Sequence, residues 1–463
     1  MAGKQLTFPG TGVASGYVLP IATTADLGGI KPDGTTIVVN GQGVASAIGG
    51  SGNFPYTTVT TLTGAAVQTA INSVTSGGVI FLSAGNYAIT AALTFGGKTN
   101  VTICGFGAAN FITATLSELL LLNGNTYNCR FVGINFAHTG TRTGSSGGGL
   151  ILINEQGTHN YLKIQQCTFT SPDYCQNAIT SSTYSVQANG GNGVGKLLQN
   201  SLIDDCDFYG MGRCGIELVN HAWDDNKLDV YLKNNTVQNC RFNDLGRVND
   251  GTAFNGMAFS NSGAAWDTTI VNCQIMDAKL LAIELAGSTR AVVAGNQIDY
   301  VNNTAVGISI SDNQHKVTKD INLIGNIVRS KTRPFALNGI TNFNLNGNTW
   351  INDTVESGTA NSNACYFQNS IGGELTGGSI TSGAANALRF DDSSEIVVGS
   401  LRITGTHTGN FSSISIFGTA GAAPNGSNNN KINSSSIIYR KSNGIATTGV
   451  VETFGNQTGN TTT

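Results

Sequence analysis

Seven segments of this chain spell one template. They read IQQCTF (164–169), IDDCDF (203–208), VQNCRF (237–242), IVNCQI (270–275), VAGNQI (293–298), LIGNIV (323–328) and LNGNTW (345–350). Each runs from an apolar residue through two intervening positions to a Cys or Asn, then one more position and a second apolar residue. A looser version, VVGSLRI, follows at 397–403. The Cys or Asn falls at 167, 206, 240, 273, 296, 326 and 348, at intervals of 39, 34, 33, 23, 30 and 22 residues. The shortest intervals set a basic period near 22, and the longer ones are that period with an insertion. Short strands and turns at such a period mark a β-solenoid. One coil cannot bury its own apolar face, so it stacks on the next at about 4.8 Å. The expected fold class is all-β.

The template also assigns the cysteines. Cys167, Cys206, Cys240 and Cys273 occupy the position that Asn296, Asn326 and Asn348 fill in later coils, so they read as packing residues stacked in a ladder. The nine cysteines show no CxxC pair and no Cys/His ligand spacing. Neither a disulfide framework, nor a metal, nor a cofactor is expected.

Charged residues make up 11% of the chain and the net charge is −3, which argues against nucleic acid or an anionic membrane as partner. No apolar run approaches the roughly 18 residues that cross a bilayer. The N-terminus, MAGKQLTFPGTG, lacks the shape of a signal peptide, so synthesis in a cytoplasm is expected. The 61 glycines among 463 residues suit many turns, and 40% hydrophobic residues suffice for a core.

Upstream of the template, TGAAVQTAINSV (63–74) carries apolar residues at 66, 67, 70, 71 and 74, the face of a short amphipathic helix. Such a helix suits the open end of a solenoid, where the first coil lacks a neighbour. GGVIFLSAGNYAIT (77–90) and NVTICGFG (100–107) follow. This entry resembles right-handed parallel β-helix proteins of the pectate-lyase-like class, which include polysaccharide lyases, glycosidases and phage tailspikes. The resemblance covers roughly 60–440. It implies a right-handed parallel β-helix and a homotrimer.

A second resemblance lies at 14–46. The words YVLPIAT, LGGIKPDGTTI and NGQGVAS are similar to a module near the ends of bacteriophage tail fibre and tailspike proteins. In local terms the segment reads as extended chain, a PDG turn, a strand TTIVV and an NG turn. The implied organisation is a virion-attachment segment (1–46), a linker (47–60), a receptor-binding or catalytic β-helix (61–440) and a C-terminal tail (441–463). The implied location is the virion tail, with phage tail or adaptor proteins as partners.

Candidate site residues come from the repeat. Excess residues in a coil must leave as loops, and the excess is largest between 167 and 273. Those loops hold His221, Trp223, Asp224, Asp225, Arg247 and Asp250, and Trp266 comes soon after. Aromatic faces stack on sugar rings, and carboxylates and amides hold hydroxyl groups. Two near-identical words, CGIELVN (214–220) and LAIELAG (281–287), each place a glutamate between inward aliphatics. Aligned by template, Glu217, Ala258, Glu284 and Ser309 form one outward column. Glu217 and Glu284 then lie two coils apart, about 9.6 Å at Cα. That suits the carboxylate separation of inverting glycoside hydrolysis, roughly 6.5–9.5 Å. Asp225 and Asp250 are alternative carboxylates.

The expected activity is hydrolysis of a bacterial surface polysaccharide, capsule or O-antigen, by paired carboxylates. Trp223, Trp266, His221, Asp224 and Arg247 would hold the glycan. A spike that binds without cleaving is the main alternative. A lyase is another, since Arg213 and His221 flank Glu217.

Overall fold

The computed structural model describes residues 37–39, 45–47, 56–144, 148–154, 157–182, 198–220, 232–248, 256–300, 306–312, 318–353, 363–383, 386–405, 414–417, 430–432, 438–441, 446–448, 451–454 and 461–462. The chain divides into two units, Met1–Pro55 and Tyr56–Thr463. In the first, Ile37–Val39 pairs antiparallel with Ala45–Ala47, so the strand expected in TTIVV is present.

The second unit is a parallel β-helix. One coil shows the plan. Leu202–Asp204, Asp207–Met211 and Ile216–Asn220 cross three successive faces, and the short strand Leu232–Lys233 leads into the next coil. The template residues set the register. On the first face Ile203 pairs with Val237, then Ile270, Val293, Leu323 and Leu345. On the second, Phe169, Phe208, Phe242, Ile275, Ile298, Val328 and Trp350 align in turn. All of these are buried in one continuous core. The Phe169–Phe208 and Phe208–Phe242 rings stack at 4.9 and 4.5 Å, close to the rung spacing.

The turn between these faces explains the template's middle. The residue before each ladder position has a left-handed backbone: Gln166, Asp205, Asn239 and Asn272 at φ near 50°, then Gly295, Gly325 and Gly347. Glycine and asparagine enter that region at low cost. The ladder residues face inward. Each of the four cysteine thiols lies near backbone carbonyl oxygens, as Cys240 does 3.2 Å from that of Gln238. In the asparagine part, Asn326 Oδ1 accepts from Asn296 N–H at 3.1 Å and Nδ2 at 2.9 Å, and Asn348 Oδ1 does the same for Asn326 at 2.9 Å. Nine cysteines are buried and free.

Between LNGNTW and VVGSLRI the structure inserts one coil that the template missed. Its strand Ser379–Ser382 pairs with Thr349–Asn352, and Gly378 takes the ladder position. A Cβ there would lie 2.0 Å from the Asn348 carbonyl oxygen, so only glycine fits and the Cys/Asn mark is lost.

Helix α1 (Gly64–Ser73) begins at Thr63, whose hydroxyl accepts from Ala66 N–H at 3.3 Å. Val67, Ala70 and Ile71 enter the core. At its other end the Lys98 ammonium donates to the Ile71 and Val74 carbonyls at 2.6 and 2.7 Å. Two boundaries move relative to the sequence reading. Tyr56–Val59, inside the stretch read as linker (47–60), pairs in parallel with Ser76–Leu82. Within the stretch read as tail (441–463), Val451–Phe454 pairs with Ile414–Phe417, and Thr461–Thr462 with Lys431–Ile432. Polar, Thr-rich chain can join a parallel ladder because the backbone supplies the hydrogen bonds.

Candidate functional site

The third face carries the glutamates. Its register aligns Thr180, Glu217, Ser260, Glu284 and Ser309. Glu217 and Glu284 therefore stand on one column with a single rung between them, about 9.6 Å apart at Cα. The intervening residue is Ser260, not Ala258. Phe259 pairs with Ile216 and Ile283, and Ala258 is buried. A slip of two residues keeps the in-and-out alternation, so periodicity alone did not reject the wrong register. Asn261, a polar residue buried opposite Leu218 and Leu285, further obscured the pattern.

Glu217 is held from one side. Its Oε2 is ion-paired with Arg213 and accepts from Asn177 Nδ2 at 2.6 Å. Asn177 Oδ1 in turn accepts from the same guanidinium at 3.0 Å and from Cys214 N–H at 3.3 Å. The Arg213 and Glu217 side chains are 11% and 14% exposed. The Gly-Arg-Cys-Gly turn that delivers Arg213 is tightly fitted. A Cβ on Gly212 would meet the Tyr174 carbonyl at 2.1 Å, and one on Gly215 the Ala258 carbonyl at 2.7 Å. Buried beneath, the Cys214 thiol is pushed up to about 12 by burial and then by the Glu217 charge, so it stays protonated.

Glu284 is partly buried, and its Oε2 accepts from Ser260 Oγ at 2.5 Å. Burial raises its carboxyl above the usual glutamate range, the Ser260 hydrogen bond opposes this, and the charge of Glu217 raises it further. The two carboxyl groups thus sense each other across Ser260. On both glutamates, Oε1 has no hydrogen-bonding partner among the described residues. The pair offers one carboxyl raised by burial and one held by an arginine on the same outward strip.

The other expected site residues divide. His221, Trp223, Asp224, Asp225 and Asp250 lie outside the described residues. Arg247, on the loop that precedes the third face, is ion-paired with Asp244 of the strand Arg241–Leu245. Trp266 ends the strand Met257–Trp266 beyond a register shift between Ser262 and Ala265, with the Arg290 guanidinium over its ring at 4.7 Å. Asp267 fastens that arginine with two bonds of 2.7 Å. Trp266 is therefore not brought to the glutamate column, because the bend carries it onto the next, short face. Asn177, Arg213 and Ser260 complete the pair's surroundings, and sequence spacing did not single them out as site residues. Only the adjacency of Arg213 to the CGIEL word hinted at one of them.

No protein-family model and no curated protein matches the chain. Solved structures do. The Dettilon tailspike protein aligns with a TM-score of 0.51 and 14% identity, covering 81% of this chain and 64% of that one. The mannuronan C-5 epimerase AlgE6 A-module of Azotobacter vinelandii aligns at 0.48 and 12%, covering 86% and 94%. The catalytic unit of a GH87 alpha-1,3-glucanase from Streptomyces thermodiastaticus aligns at 0.47 and 15%, covering 89% and 69%. These likenesses concern the fold: this chain is similar to parallel β-helix proteins.

Proposed function

We propose that this chain is the subunit of a trimeric bacteriophage tailspike. In this reading it binds a bacterial surface polysaccharide, capsule or O-antigen, and hydrolyses it with Glu284 as general acid and Glu217 as general base. The observation that carries the catalytic part is the outward column, in which two carboxyl groups face one strip across Ser260, Glu217 ion-paired with Arg213 and Glu284 raised by burial. A tuned acid beside an ion-paired carboxylate is the division of labour that glycoside hydrolysis requires. Glu284 would pass its proton to the glycosidic oxygen as the bond to the anomeric carbon breaks. Glu217 would take a proton from the water that attacks that carbon from the opposite face. The N-terminal words at 14–46 and the tailspike among the similar folds support the phage setting, with residues 1–46 meeting other tail proteins.

Purified protein incubated with capsule or O-antigen should release oligosaccharides. Glu217→Gln and Glu284→Gln should each slow release by at least about 100-fold, the scale of a lost general acid or base. Unchanged release in both variants removes the assignment.

One observation favours a second reading, a spike that binds without cleaving. Arg213 and Asn177 both fasten Glu217, which would suit a structural pin. That reading predicts stable glycan binding and no fragments. A lyase finds less support, because Arg213, the base in contact with Glu217, is ion-paired to it.

A further inference from the structure

Beyond Glu284 the outward column continues through Ser309, Ala336, Tyr366 and Arg389. Tyr366 is three rungs from Glu284, about 14 Å along the strip. Its ring carries the Arg333 guanidinium at 4.6 Å and the Arg389 guanidinium at 5.8 Å. Arg389 is matched. It donates to both oxygens of Asp391 at 2.8 and 2.9 Å, and the Tyr366 hydroxyl donates to the same carboxylate at 2.8 Å.

Arg333 differs. Its backbone is fixed by Gly307 N–H, which donates to the Arg333 carbonyl at 2.9 Å and belongs to the strand that carries Ser309. Its guanidinium has no hydrogen-bonding or ion-paired partner among the described residues, only the Tyr366 face. Burial weakens its hold on its proton, Tyr366 opposes this, Arg389 adds to it and Asp391 opposes it in turn. Two guanidinium groups thus gather at the Tyr366 ring, and the Asp391 carboxylate beside them is bonded by Arg389 and Tyr366. A desolvated, unmatched arginine gains most from an oxyanion that accepts its planar fork.

We infer that Arg333, stacked on Tyr366, forms an anion subsite for a carboxylate or phosphate carried by the glycan, three rungs from Glu284. The subsite rests on the polysaccharide reading above and specifies it: the substrate is an acidic glycan. Tyr366 supplies an apolar platform beneath the guanidinium, and Asp391 occupies Arg389.

The test uses the full chain on an array of bacterial capsular and O-antigen polysaccharides, wild type beside Arg333→Met. The bound glycans should carry carboxylate or phosphate. Arg333→Met should weaken their binding by about ten- to hundredfold, the worth of a charge-assisted hydrogen bond. Its thermal midpoint should fall only slightly, since the Tyr366 ring is the one contact the guanidinium makes among the described residues. Carbodiimide-mediated reduction of the glycan carboxyl groups should abolish binding if the anion is a carboxylate. Removal of phosphate with aqueous hydrofluoric acid should do so if it is a phosphate. These two treatments decide the matter even where Arg333→Met folds poorly. Binding to neutral glycans, or equal binding of acidic glycans by Arg333→Met, overturns the subsite alone. If wild type binds no polysaccharide, the polysaccharide reading falls and the subsite with it.

Discussion

At the scale of single residues, the site is defined by how unequally two similar glutamates are treated. Glu217 faces Arg213 and Asn177, whereas Glu284 faces Ser260. Removing one member of a largely buried pair leaves the other charge stranded. Arg213→Met should therefore cost about 3 kcal/mol in chemical denaturation. Adding Glu217→Gln to it should restore part of that loss, a coupling that a double-mutant cycle reads directly. Glu284 gives a signed pH dependence. Its folded value is raised, so the native state holds the proton more tightly than the unfolded chain does. The resulting stability is fully present below the ordinary glutamate value and is lost as pH rises through the raised one. Unfolding free energies of wild type and Glu284→Gln should run parallel below and above that window and differ in pH slope within it. In the sequence both glutamates were legible, because a charge between two inward aliphatics must point outward. Asn177 was not, because its role depends on a bend that brings it beside a residue in the following coil.

At the scale of elements, the ladder turn is the stabilising unit. Asn326 accepts from Asn296 and donates to Asn348 and to the Val293 carbonyl, the last at 2.8 Å. Asn326→Leu would leave buried amides and a carbonyl unpaired, so a loss of about 2–4 kcal/mol is expected by thermal or chemical unfolding. The Cys/Asn template was readable because the same inward turn position recurs in every coil and tolerates few side chains. Gly378 shows where that logic stops. The backbone approach is closest there, the residue shrinks to glycine, and the marker vanishes. The register of Met257–Trp266 failed for another reason. Alternation has a period of two, and a two-residue slip moves no side chain to the other face. The register was settled by which apolar residue packs level with Ile216 and Ile283, a fact of volume that spacing does not encode.

At the scale of the whole solenoid, the stacking distance acts as a ruler for chemistry. Outward side chains on one column can differ only by whole rungs of about 4.8 Å. Adjacent rungs approach the roughly 5 Å carboxyl separation of retaining hydrolysis, and alternate rungs approach the inverting range. In the proposed hydrolase, Ser260 between Glu217 and Glu284 would select inversion, and the Tyr366–Arg333 contact would place a charged group at a fixed distance along the same strip. The general course of the coils was legible from the 22-residue period, whereas the lateral bends that set Trp266 apart from the glutamates were not. The most direct test is proton NMR of the first anomer released when the protein is incubated with a bacterial surface polysaccharide. Inversion at the anomeric carbon, with no signal from Glu217→Gln or Glu284→Gln, is the predicted result. Net retention, or full activity in either variant, would contradict a carboxylate pair working across the Ser260 rung.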